Sequence, residues 1–189
     1  MTPEFRVRAA TRIVATGFLA IDELEVASGD ETFRRLVVRH PGAVVVVPVD
    51  ANGDARCIRQ WRAATGGTVL EVPAGKRDVV GEAPVRTAAR ELEEEIGVRA
   101  GRFVKLAEFW NTPGFCDEYS HLYVALDLEP AHAPAPTSPE ERALVVEHVA
   151  LGAVERLVAT RELVDAKSII GLLLARAYLA GTHPGIDEA

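Results

Sequence analysis

The apolar run at residues 43–49 (AVVVVPV) shows no polar alternation, the pattern of a strand buried on both faces. The sequence DANGD at 50–54 is a strong hairpin turn, and residues 55–62 return as the partner strand. Residues 68–72 form another strand, closed by Pro73. Upstream, β-branched residues at 11–20 and 31–38 flank a Gly29-Asp30 turn and predict a short N-terminal β unit. Val85, Ala88, Ala89, Leu92 and Ile96 recur at helical spacing, so residues 83–96 read as a helix with one inward face, ended by Gly97. Strands follow at 102–110 and 119–126, a Pro- and Ala-rich surface loop at 129–139, and a last strand at 145–151. Helices at 152–159 and 166–179 complete the pattern. Hairpins in place of regular βαβ crossovers give an α/β (α+β) class, a mixed β-sheet sandwiched between helices. The expected division is a β subdomain at 1–40, a main domain at 41–181 and a tail at 182–189.

A length of 189 residues suits one domain, or one domain with a small appendage. Folding at that size buries roughly 70% of the unfolded surface, so neither a disulfide nor a structural metal is required. The net charge of −7 argues against general affinity for nucleic acid or anionic membranes, which relies on clustered Lys and Arg. Cys57 and Cys116 have no CxxC spacing and read as free thiols of a reducing cytoplasm. No apolar h-region opens the chain, and the apolar runs at 43–49 and 169–175 are too short to span a bilayer. A soluble, cytoplasmic protein is expected.

The helix at 83–96 carries the chemistry. Arg90, Glu91, Glu94 and Glu95 crowd its last turns, and Glu82 stands eight residues before Arg90. Residues three or four apart share a face, so Glu91, Glu94 and Glu95 can converge on one point. Like charges at that spacing destabilise a helix unless something neutralises them. A hard divalent cation does so, since Mg²⁺ takes oxygen ligands and keeps waters for a phosphate substrate. A Glu-rich helix alone is ordinarily a solvated face; the fixed offsets of Glu82, Arg90, Gly97 and Val98 set this one apart.

Those offsets resemble the Nudix box, Gx5Ex7REUxEExGU with U aliphatic. Glu82, seven residues, then Arg90-Glu91-Leu92-Glu93-Glu94-Glu95-Ile96-Gly97-Val98 fit without a break, whereas six residues rather than five separate Gly75 from Glu82. The stretches RLVVRHPGAVVVVPV (35–49), Gln60-Trp61-Arg62, Val72-Pro73-Ala74-Gly75 and NTPGFCDE (111–118) are similar to the ADP-ribose pyrophosphatase branch. That branch carries a Pro about sixteen residues past the box, and Pro113 lies sixteen after Gly97. The resemblance implies a Nudix fold and hydrolysis of ADP-ribose to AMP and ribose 5-phosphate, with Mg²⁺ or Mn²⁺ as cofactor. It implies Glu91 and Glu95 as metal ligands, the backbone carbonyl of Ala74 as a third, Glu94 as a subsidiary ligand, and Arg90 as the group orienting a box carboxylate.

The same resemblance implies that Arg62 contacts a phosphate and that Glu118, Pro113 and Gly114 bind substrate. It implies a general base from the loop SPEER, either Glu140 or Glu141. Trp61, Trp110 and Phe115 can stack on adenine, although large aromatics more often fill cores or interfaces. His40, His121 and His148 lack metal-ligand spacing and receive no chemistry. Box residues handle only the diphosphate, so ADP-glucose or GDP-mannose remains an alternative substrate. A non-catalytic ADP-ribose-binding regulator is a third reading, but one that goes with a degraded box. The resemblance also implies a homodimer, with the N-terminal β unit packed across a two-fold axis and each active site completed from both chains; the first forty residues hold too few apolar strands for a core of their own.

Overall fold

The computed structural model describes residues 4–132, 135 and 138–186. Two units make up the chain, Met1–Gly42 with Phe109–Ser120 and Ala43–Glu108 with His121–Ala189.

In the first unit β1 (Phe5–Thr16), β2 (Leu19–Ser28) and β3 (Glu31–Arg39) form an antiparallel sheet in that order. The sequence predicts one strand over 11–20. The structure instead turns at Gly17-Phe18 and pairs Thr16 with Leu19. Phe18 occupies a place where turns are usually polar, which hides the turn. Every residue of β1 is exposed, while β2 buries Ala20, Asp22 and Leu24 on alternate positions. Asp22 is a buried acid satisfied by Arg12 and by Arg39 Nε at 2.9 Å, and these arginines hold its carboxyl below the usual range. The loop between residues 110 and 119 is stitched to β3. Val38 N–H donates to the Phe115 carbonyl (2.7 Å), and Asp117 N–H donates to the Val38 carbonyl (3.1 Å). Arg39 Nη1 adds a bond to Asp117 Oδ2 at 2.9 Å.

The second unit is built around β4 (Ala43–Pro48), all of whose residues are buried. Its neighbours are β7 (Ala74–Lys76) and β9 (Tyr119–Pro130), with β8 (Val98–Trp110) outside β9. Helix α1 (Pro84–Ile96) packs on one face, where Ala88 and Leu92 join Val44, Val46, Tyr123 and Ala125. Helix α4 (Ala166–Leu179) packs on β4 too, and Gly171 meets Val47 and Leu122 there. Alternate valines therefore point at different helices, and the expected sandwich is present. A second sheet contains β10 (Val145–Ala150), β5 (Asp54–Arg62) and β6 (Gly67–Glu71), in that order and antiparallel. A 3-10 turn at Leu151–Ala153 leads into α3 (Val154–Ala159).

Two short elements went unread in the sequence. β7 has three residues, too few for any periodicity to show. α2 (Pro139–Arg142) begins where a loop was expected. Its signal was present: Ser138-Pro139-Glu140-Glu141 is a capping box with Pro at the first helical position. Residues 133, 134, 136 and 137 of the expected loop, and 187–189 of the expected tail, lie outside the described residues. Ile186 N–H donates to the Lys105 carbonyl at 2.8 Å. Among the described residues no helix is long and apolar enough to cross a membrane.

Candidate active site

The strand end Glu71-Val72-Pro73-Ala74-Gly75 is fixed almost atom by atom. Val46 N–H donates to the Pro73 carbonyl (2.9 Å), and Val45 and Val44 pair with Ala74 and Gly75. Val72 N–H donates to Ser168 Oγ at 2.9 Å, and Ala74 N–H donates to Glu95 Oε2 at 3.2 Å. Gly75 lies against Glu91; a Cβ there would stand 1.9 Å from Glu91 Cδ. Because Ala88 and Leu92 anchor α1 to β4, Glu91 and Glu95 are delivered together to the backbone of Ala74 and Gly75.

The helix itself resists this concentration of acid. Its first turn holds no acid and its last turn no base, the reverse of what the macrodipole favours. Gly97, at φ 63°, ends it in the left-handed region, and its N–H caps the Glu93 carbonyl. Arg99 grips Glu93 with two bonds of 2.7 and 3.1 Å. Arg90 Nη1 lies 2.7 Å from Glu91 and 3.1 Å from Glu94, and Arg90 Nη2 lies 3.5 Å from Glu82. Nε and Nη2 of Arg90 are buried with no hydrogen-bond partner among the described residues.

Burial is the first cause that pushes Glu95 up to about 8, reinforced by Glu91 and Glu71 against the pull of the Ala74 N–H and Arg62. Burial raises Glu91 as well, with Glu94 and Asp78 adding to it and Arg90 opposing. Two carboxylates thus sit side by side in a place that penalises their charge, and oxygen is the only donor type. That chemistry fits a hard divalent cation. Glu94 shares the Arg90 Nη1 contact with Glu91, and among the described residues no three His, Cys, Asp or Glu side chains group to hold an ion.

Arg62 carries a partner that sequence reasoning missed. Its Nε and Nη2 each donate to Glu71 at 2.8 Å, and Glu71 is 3% exposed. An acid inside the apolar strand TVLEV was the available signal, since a buried charge demands a partner. Behind it, Ser168 Oγ donates to Asp165 Oδ2 (2.7 Å), which also accepts the Ser168 N–H (2.8 Å) and caps α4.

The box loop ends in an exposed tip. Val79 is exposed and Val80 fully so, and the Glu82 N–H returns to the Val79 carbonyl at 3.2 Å. Thr87 Oγ1 then donates to Glu82 at 2.8 Å. At the loop's start Arg77 Nη1 lies 3.1 Å from Nε2 of His121, whose Nδ1 lies 2.7 Å from Glu108. Burial, with Arg77 and Lys105, draws the His121 pKa down against Glu108.

Glu140 and Glu141 separate. Both are exposed on α2, which lies against β5, but Glu141 accepts the Ser138 N–H at 3.4 Å and completes the capping box. Pro113, Gly114 and Glu118 belong to the first unit, in the loop stitched to β3. Trp61, Trp110 and Phe115 are exposed rather than core residues.

The NUDIX domain family model matches residues 38–169. An ADP-ribose pyrophosphatase of Bacillus subtilis (strain 168) is 37% identical over 150 residues, 79% of this chain and 80% of that protein. One from Mycobacterium tuberculosis is 35% identical over 160 residues, 85% of this chain and 76% of its own. A GDP-mannose pyrophosphatase of Citrobacter koseri is 27% identical over 72% of this chain and 74% of its own. The crystal structure of an ADP compounds hydrolase shares the fold at a TM-score of 0.78, with 22% identity and coverage of 94% and 95%.

Proposed function

The chain belongs to the Nudix family, and from that premise we propose that it hydrolyses the diphosphate bond of ADP-ribose, releasing AMP and ribose 5-phosphate. The observation that carries this reading is the pairing of Glu91 and Glu95 at the Ala74-Gly75 backbone. Anions so placed need a cation, and a diphosphate needs one too. Glu91, Glu95 and the Ala74 carbonyl would hold Mg²⁺ or Mn²⁺, with Glu94 subsidiary. A divalent cation bound there neutralises the diphosphate and lowers the pKa of a bound water.

The chain's own residues supply the rest. Arg90 orients Glu91, a role supported by the 2.7 Å contact between them. Arg62 offers the diphosphate a guanidinium whose other edge is held by Glu71. Glu140 takes the proton of the attacking water, a choice supported by the engagement of Glu141 in the capping box. Pro113, Gly114 and Glu118 keep the substrate-binding role that their sequence context implies. We also propose a homodimer through the exposed β1 sheet, and a cytoplasmic location supported by the two free thiols, Cys57 and Cys116.

A second reading, another nucleoside diphosphate sugar as substrate, is favoured by the similarity to GDP-mannose pyrophosphatase. The deciding experiment incubates the purified protein and Mg²⁺ with ADP-ribose, ADP-glucose and GDP-mannose in isotopically labelled water. ADP-ribose should give the highest kcat/KM, with AMP and ribose 5-phosphate as products. Preference for GDP-mannose would transfer the assignment to the second reading, and tight ADP-ribose binding without AMP release would make the protein a regulator.

A further inference from the structure

We propose that Glu71 is a positioning residue that keeps the Arg62 guanidinium off Glu95, so that Glu95 stays open to a cation. The inference deepens the functional reading above and rests on its cation site. Arg62 stands among three acids. Glu71 holds it by two hydrogen bonds of 2.8 Å, while Glu95 and Asp165 attract it through space. Any of the three can serve as counter-ion, so charge alone does not decide where the guanidinium rests. Geometry decides.

Both Glu71 oxygens meet the Nε–Nη2 edge in a fork, which fixes the plane of the guanidinium as well as its position. In the β5–β6 ladder Glu71 pairs with Ile58, and Arg62 pairs with Gly67. The two side chains therefore reach towards each other along the sheet, and both ends are anchored by backbone hydrogen bonds. The backbone that carries Glu71 is held as well, because the next N–H, at Val72, is tied to the buried Ser168 hydroxyl.

A buried acid paired with arginine contributes little net stability compared with an apolar residue. Orientation is what this pair provides. Were the fork lost, Arg62 would be free to swing to Glu95, where it would occupy the same carboxylate that a divalent cation needs. The Asp165 carboxylate offers less competition, since Lys167 and Ser168 already engage it.

The test is Mn²⁺ binding by electron paramagnetic resonance, without substrate, on wild type, Glu71→Gln, Arg62→Ala and the double variant. Glu71→Gln should weaken Mn²⁺ binding about tenfold or more, the size typical of an outer partner of a metal ligand. Arg62→Ala should bind Mn²⁺ at least as tightly as wild type, and the double variant should match Arg62→Ala, because the competing cation is gone. Arg62→Lys keeps the charge without the fork and should weaken binding, which tests the idea even if Glu71→Gln folds poorly. Unchanged binding in Glu71→Gln, or weakness persisting in the double variant, overturns the proposal and leaves the hydrolase reading standing. A wild type that binds no Mn²⁺ overturns both.

Discussion

Gly75 and Glu91 are packed so tightly that a single methyl group on the glycine would fall 1.9 Å from the glutamate's Cδ. The clash is with the end of a side chain, so the fold can yield by moving Glu91 rather than by unfolding. Gly75→Ala should therefore raise the Mg²⁺ concentration for half-maximal activity by about 10- to 100-fold. Metal titration of the initial rate measures this, and an unchanged half-point would show that Glu91 is not a ligand.

Glu95 links metal to pH. Its folded-state pKa of about 8 lies above the ordinary 4.5, so without metal the folded protein holds a proton that the unfolded chain releases. That contribution to stability is complete below about 4.5 and is lost as pH rises through about 8. In EDTA, the wild type should lose Tm relative to Glu95→Gln across this window. Mg²⁺ should raise the wild-type Tm more at the alkaline end, where it competes with no proton. A difference between the two proteins that stays constant with pH would refute the assignment. Wild-type turnover by Glu95→Gln at limiting Mg²⁺ would remove it from the ligand set.

Glu140 and Glu141 should separate by kinetics. Glu140→Gln is expected to lower kcat by roughly 10²- to 10⁴-fold with little change in KM, as for loss of a general base. Glu141→Gln should mainly loosen the short α2 helix, since its carboxylate accepts the Ser138 N–H. A large kcat loss in Glu141→Gln with none in Glu140→Gln would exchange the roles.

Ser168 has a structural consequence that needs no substrate. Its hydroxyl receives the Val72 N–H and donates to Asp165, and the residue is fully buried. Ser168→Ala leaves a buried N–H without a partner and should cost about 1–3 kcal/mol. Urea unfolding followed by circular dichroism gives this value directly; a change within a few tenths of a kcal/mol would mean that water replaces the hydroxyl.

The α1 helix and the buried β4 were legible because periodicity and burial coincide in them: Ala88 and Leu92 meet Val44 and Val46 on one face. The box acids were legible from spacing alone. Their final disposition was not, because the sequence does not say that Arg90 contacts Glu82, Glu91 and Glu94 together. The Arg62–Glu71 fork spans a hairpin and the Ser168–Val72 bond joins residues far apart in the chain. Pairings of that kind arise only once strands are in register. The Gly17-Phe18 turn was hidden for a local reason, an apolar residue at a turn position.

The exposed sheet of the first unit leads to the last prediction. β1 is an edge strand of twelve residues with none of them buried, and Phe5, Val7 and Ile13 are among its exposed side chains. Long, apolar edge strands invite pairing, and proteins usually blunt them with charge, proline or cover. Arg6, Arg8 and Arg12 put charge on β1, yet Ile13 and, on β3, Leu36 remain each 57% exposed. A second copy of the chain supplies cover at no cost in specificity, since a two-fold interface needs only one self-complementary patch. Light scattering at micromolar concentration should return twice the mass of one chain. Ile13→Asp or Leu36→Asp should weaken that association by about 100-fold or more, because a charge would be buried without a partner. Far-ultraviolet circular dichroism should stay unchanged in at least one of these variants. A monomeric wild type would leave the sheet without its proposed partner, and the dimer would have to be abandoned.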